Sequence, residues 1–185
     1  MTTPQQSNAS SVATKTDFPV WKTIKLGTHK DGPALLKKLI RGGYYVCEGT
    51  KSFLSGFEET TFDVQDAVEE VNLVCVSPRE LGIKGRRTLK FISTKAQGFG
   101  LEKCPFEVAP QLRFQYRRQK VGEYLRIATE YIPSVVQSDN PVFVVANSKK
   151  EGLRLTMYAY MSLRKRKRLW SDRDRFIFIK RRGSG

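Results

Sequence analysis

The chain has one histidine and three cysteines in 185 residues. With a single imidazole, His29, Ser-His-Asp or Cys-His chemistry has no second base to draw on. A multi-histidine metal site is ruled out outright. His29 lies in Gly27-Thr28-His29-Lys30-Asp31-Gly32, a polar stretch that reads as a solvated loop. Cys47, Cys75 and Cys104 are far apart and form no CxxC pair, so neither a disulfide framework nor a zinc site is expected. Free, half-buried core thiols in a reducing, cytoplasmic setting fit this pattern best. No run of ~18 apolar residues exists, so no membrane-spanning helix and no membrane partner are expected. Residues 1–16 lack the apolar segment of a secretory signal. There is no GxxxxGK[ST] loop, and Gly98-Phe99-Gly100 lacks the third glycine of a dinucleotide fingerprint. No catalytic residue, cofactor or metal ligand is assigned on these grounds.

Acidic residues are also scarce. Thirty-three Lys and Arg stand against eighteen Asp and Glu, a formal net charge of +15. The imbalance is uneven. Residues 164–182 hold ten basic and two acidic side chains, and 84–95 carries Lys84, Arg86, Arg87, Lys90 and Lys95 with no acid. Residues 58–70 hold six acids and no base. Such a surface attracts polyanions, of which nucleic acid is the commonest in a cell.

The strongest local signal is Arg164-Lys165-Arg166-Lys167-Arg168, with Tyr158, Tyr160 and Trp170 nearby for stacking on bases. The alternative is a solvated hairpin loop whose charge aids solubility. Arg113 and Arg126, on strands expected to be neighbours, would share a sheet face with Arg117. Arg118 in the following turn extends this candidate surface. Glu107, after Cys104-Pro105-Phe106, reads either as an acid of raised pKa or, more simply, as a group that caps backbone or pairs with an arginine. Asp172 and Asp174 flank Arg173. They form either a magnesium pair or intramolecular ion pairs in a turn.

Fold class follows from the periodicities. Residues 1–17 are polar and low in apolar side chains, and read as a disordered tail. A single domain is expected over 18–182, with a flexible end at 183–185. Residues 21–26 alternate like a half-buried strand. Asp31 and Pro33 open a helix with Leu35, Leu36, Leu39 and Ile40 at helical spacing, closed by Gly42-Gly43. Residues 44–62 fit a strand or a short helix, 63–70 is loosely helical, and 71–76 is a buried strand. Ser77-Pro78-Arg79-Glu80 signals a short helix, and 88–97 a longer one. From Leu101 the pattern turns to strands at 111–116, 123–132, 142–146, 153–160 and 176–180, with Gly122 as a hairpin turn. The expectation is an α+β fold, with two or three helices in the N-terminal half packed on a mostly antiparallel sheet built largely from the C-terminal half.

Three segments carry a resemblance: TIKLGT at 23–28; GLEKCPFEVAPQLRFQY at 100–116, preceded by Pro78-Arg79-Glu80-Leu81-Gly82; and LWSDRDRFIFI at 169–179. They resemble, in order and over roughly 20–180, a family of bacterial intracellular proteins with no established activity. The resemblance implies a bacterial, intracellular, single-domain protein and supplies no substrate. The family tends to carry an acidic residue and a Gln-Pro turn after the tyrosine matching Tyr116. Here Arg117-Arg118-Gln119-Lys120 stands instead, and the 164–168 run is also particular to this chain.

The leading expectation is a non-catalytic nucleic-acid-binding accessory or regulatory factor acting through phosphate-backbone electrostatics. Its rivals are a metal-dependent nuclease or toxin-like enzyme using Asp172, Asp174 and Glu107, and an interaction module for an acidic protein partner or for its own 58–70 segment.

Overall fold

The computed structural model describes residues 17–56, 62–85, 87–130, 142–158 and 170–180. Its elements are β1 (Lys22–Leu26), α1 (Gly32–Arg41), β2 (Tyr45–Val46), α2 (Glu48–Leu54), β3 (Glu69–Val76), α3 (Leu89–Gly98), β4 (Leu101–Glu102), α4 (Val108–Gln115), β5 (Tyr124–Ile127), β6 (Val142–Ser148), β7 (Gly152–Tyr158) and β8 (Arg175–Lys180). The strands form one sheet in the order β1-β3-β8-β5-β6-β7-β2, with β4 also on β8. Most pairings are antiparallel, and β5–β8 and β2–β7 are parallel. The fold is α+β, with the larger share of the sheet in the C-terminal half.

Both sheet faces are covered. On one, α1, α2 and α4 bury Leu39, Phe53, Leu54, Val108 and Leu112 against Leu73, Leu125, Phe143 and Ile177. On the other, α3 and the 77–83 turns bury Ile92, Ala96, Leu81 and Ile83 against Val74, Val76, Phe176 and Phe178. That explains β3 and β8: alternate residues go to opposite cores, so both strands are apolar on each side. Each fully buried Leu, Ile or Phe contributes roughly 1.5–3 kcal/mol.

Local signals behave as expected in several places. Asp31 caps α1 by accepting from the Ala34 N–H at 2.7 Å, and Gly43 takes the left-handed conformation after it (φ 74°). Ile40, in contrast, is exposed. The ambiguous 44–62 stretch resolves into β2 and α2 as far as it is described.

Other readings are corrected. Residues 111–116 are not a strand: α4 spans Val108–Gln115. The alternation of Leu112, Phe114 and Tyr116 misled because the intervening Gln111 and Arg113 are themselves buried. Arg113 and Arg126 therefore do not share a sheet face. Gly122 (φ 87°) precedes β5 without closing a hairpin, since the neighbours of β5 are β6 and β8. In the described part of the 123–132 alternation, 123–130, the strand spans 124–127. Residues 62–68 are irregular and 69–70 begin β3, so 63–70 is not helical. Ser77 and Glu80 bond reciprocally as a capping box does, but the chain there forms turns. Of the tail expected at 1–17, residues 1–16 lie outside the described residues, as does the end at 183–185, while Asp17 is described and pairs with Lys180 at 2.8 Å.

Helix α4 is fixed by polar side chains that reach into other segments. The buried Glu107 carboxylate accepts from Gly27 N at 2.7 Å, Gln65 N at 3.0 Å and Gln111 Nε2 at 2.8 Å. Gly27 can be nothing else: its φ is 67°, and a Cβ there would lie 2.3 Å from the Ala67 carbonyl oxygen. Gln115 accepts from Lys25 N at 2.9 Å and donates to Lys25 O at 2.8 Å. Its amide thus pairs with the open edge of β1 as another strand would.

Glu107→Ala leaves three N–H donors unpaired and is expected to cost about 3 kcal/mol or more. Glu107→Gln keeps one acceptor oxygen and is expected to cost about half as much. Urea unfolding of both variants measures this.

Candidate nucleic-acid interface

The sequence-predicted cations separate into three groups. Arg164, Lys165, Arg166, Lys167 and Arg168 lie outside the described residues, as does Tyr160. Arg113, Arg126 and Trp170 are built into the interior. Arg117 and Arg118 are exposed.

Arg113 is fully buried on α4. One terminal nitrogen donates to the Ala146 carbonyl at 3.0 Å and to Gln119 Oε1, and the other donates to the Tyr116 carbonyl. Its guanidinium carbon sits 5.4 Å from the Tyr44 ring centre. Burial lowers its pKa to about 10, still well above neutrality, so the side chain is a cation that serves as an internal cross-link. Gln119 continues the network to Val145 O at 3.1 Å. The adjacent Tyr116 phenol is pushed up to about 12, by burial first and then by its hydrogen bond to the Glu123 carboxylate.

Trp170 is buried edge-on to Phe176 at 5.5 Å. Arg126 stacks over it at 5.1 Å and pairs with Asp174 at 2.8 Å. The indole is thus a core residue and not a stacking platform. Asp172 accepts from Ser171 Oγ at 3.3 Å, and Asp174 also caps Ser171 N at 2.9 Å. Among the described residues no group of three or more His, Cys, Asp or Glu stands ready for a metal ion. The three carboxylates considered for a nuclease therefore already have internal partners. Glu107 does cap backbone, as the simpler reading held, but it pairs with no arginine among the described residues.

Two surface regions gather cations. The first surrounds the C-terminal end of α4. Lys38 Nζ and the Arg117 guanidinium carbon lie 5.3 and 5.2 Å from the Phe114 ring centre, and His29 meets that ring edge-on at 6.1 Å. Lys22 Nζ lies 4.8 Å from the Tyr116 ring, which Trp21 meets edge-on at 5.2 Å. Arg118 and Lys120 follow, exposed. Each ring holds a cation in place without neutralising it.

The second region is an open cleft of about 370 Å³ lined by Arg79, Gly82, Ile83, Lys84, Arg87 and Asp172. Two main-chain bonds clamp its walls: Arg79 N to Asp172 O at 3.0 Å, and Trp170 N to Arg87 O at 2.9 Å. Arg87 Nε donates in return to the Trp170 carbonyl at 2.7 Å. Sequence reasoning noted the basic 84–95 stretch but did not join it to Arg79 and Asp172, because the pairing of β3 with β8 makes that meeting. The 164–168 run ends two residues before Trp170, so it is tied covalently to this wall.

Glu80 follows Arg79 in the chain but is not among the residues that line the cleft. It accepts from Ser77 N at 2.6 Å and from Arg175 Nη1 at 2.7 Å. Burial works to raise its pKa, but the Ser77 and Arg175 bonds outweigh it and hold the carboxyl below the ordinary value of 4.5.

Compared with family models, with curated proteins and with solved structures, the chain matches none.

Two predictions separate structural from surface charges. Arg113→Ala, which strands buried carbonyls, is expected to cost about 3 kcal/mol or more. Arg117→Ala with Arg118→Ala should stay within about 0.5 kcal/mol of wild type. Thermal and urea unfolding report both. Because the folded-state pKa of Glu80 is lowered, its contribution is fully present above pH 4.5 and is lost as pH falls through the lowered value. Glu80→Gln should therefore be less stable than wild type at pH 7, and the gap should narrow as pH falls below 4.5. Unfolding curves at pH 7 and at a series of acidic pH values check the sign.

Proposed function

We propose that the protein binds nucleic acid through the phosphate backbone, as a non-catalytic accessory or regulatory factor. One observation supports this most: among the described residues, most acidic side chains have partners within the protein, whether buried or exposed, while many exposed cations form no ion pair. Glu107 lies in its three-donor site, Glu80 is on Arg175, Asp174 on Arg126, Glu151 on Arg154, and Glu130 on Lys103. Many cations, in contrast, face solvent, including Lys37, Arg41, Arg79, Lys84, Arg117, Arg118 and Lys120. Among the described residues, the cations left over at the surface are therefore available to a polyanion.

The two cationic regions suit backbone contact better than base reading. Their nearby rings, Phe114 and Tyr116, are half-buried and already carry cations. Affinity should then depend steeply on salt and weakly on sequence. If about five cations meet phosphates, the slope of log K against log salt is expected near −3.5 to −4.5. Fluorescence anisotropy with mixed-sequence RNA and DNA at several salt concentrations measures it. Reversing the charges of 164–168, or of Arg117 and Arg118, should lower affinity about tenfold or more without unfolding the protein. No binding at ~150 mM salt would overturn the reading.

A further inference from the structure

We infer that the cleft between the 79–87 segment and Asp172 receives the terminal phosphate monoester of a nucleic-acid strand. This inference rests on the nucleic-acid reading above and goes beyond it, from general attraction to a defined ligand end.

The argument starts from charge. Three cations, Arg79, Lys84 and Arg87, face one carboxylate, Asp172, a net lining charge of +2. A bridging phosphodiester carries one negative charge, whereas a phosphate monoester at pH 7 carries between 1.5 and 2, by its second pKa of about 6. The lining thus matches a strand end better than an internal linkage. Asp172 also opposes the extra charge of a polyphosphate.

Partnering points the same way. The Arg87 guanidinium is oriented by two main-chain carbonyls, Trp170 O at 2.7 Å and Gly85 O at 3.2 Å. Carbonyls fix its direction without cancelling its charge. Among the described residues, no carboxylate pairs with Arg79 or Lys84 in an ion pair, although both are exposed. The site is also built in advance. The two main-chain bonds across its walls fix the backbone at Arg79 and Arg87, and the Arg87 side chain is oriented as well, so part of the ordering that binding would cost is already met. Of the other lining residues, Ile83 is buried, and a Cβ at Gly82 would meet open space. The volume of about 370 Å³ accommodates a phosphate with its sugar but not a folded nucleic-acid segment.

The test compares one short oligonucleotide carrying either a terminal phosphate or a hydroxyl at each end, against the full-length protein at ~150 mM salt. Terminal phosphorylation is expected to tighten binding about tenfold or more. Arg79→Ala with Lys84→Ala should abolish that gain. Lys149→Ala with Lys150→Ala, which removes the same charge at the exposed β6–β7 turn, should preserve it. Equal affinity for phosphate- and hydroxyl-ended strands would overturn the inference while leaving the nucleic-acid reading intact. Absence of binding to either strand would overturn both. Competition by adenosine monophosphate as strong as by the phosphorylated strand would overturn the strand as the source of the phosphate.

Discussion

A single buried carboxylate organises much of this fold. Glu107 stands at the start of α4 with no water-exposed surface and accepts three N–H donors from three places: the loop after β1, the irregular segment before β3, and α4 itself. A charged group in that position is costly unless its oxygens are satisfied. The converging donors meet that need and so fix where each loop must sit. Gly27 belongs to the same constraint, because the loop has to pass against the Ala67 carbonyl with a positive φ. From this anchor α4 extends its remaining polar side chains outward, Gln115 to the edge of β1 and Arg113 to β6. A helix of eight residues would be marginal by itself. Here it is held at both ends and along its length.

The same economy shapes the surface. Acidic side chains are scarce, and the structure commits many of them to caps, turns and cross-strand pairs. The cations outnumber those partners, and many of the remainder face solvent, among them those at the end of α4 and along the cleft beside Trp170. Two arginines are put to a different use. Arg113 and Arg126 are buried or half-buried and hold elements together. Their neighbours in sequence, Arg117 and Arg118, stay outside. Arginine content alone therefore does not map an interface. What matters is whether carbonyls, rings and carboxylates have already taken the guanidinium.

The contrast explains what was legible in the sequence. β1, β3, β6, β7 and β8 were readable because their alternation or apolar runs report burial directly. So were α1, with Asp31 at its N-cap, and α3. Helix α4 was not, because its buried face includes Gln111 and Arg113, and periodicity counts polar residues as exposed. Once α4 was read as a strand, Arg113 was placed on a surface it does not have. Trp170 was misjudged for the opposite reason: a tryptophan beside five cations suggests stacking, yet its ring fills the second core. The cleft was out of reach, since Arg79 and Asp172 meet only through the pairing of β3 with β8. Glu107 was partly legible, as a group that caps backbone, but not the loops it would join.

The most direct measurement is a backbone and indole ¹H–¹⁵N NMR titration of the full chain with a short mixed-sequence oligonucleotide. The account expects resonances of 79–87 and 117–120 to shift in a salt-dependent way, while Glu107, Gln111 and Arg113 in the interior of α4 stay in place. Shifts confined to the acidic 63–70 segment, or none at saturating oligonucleotide, would contradict it.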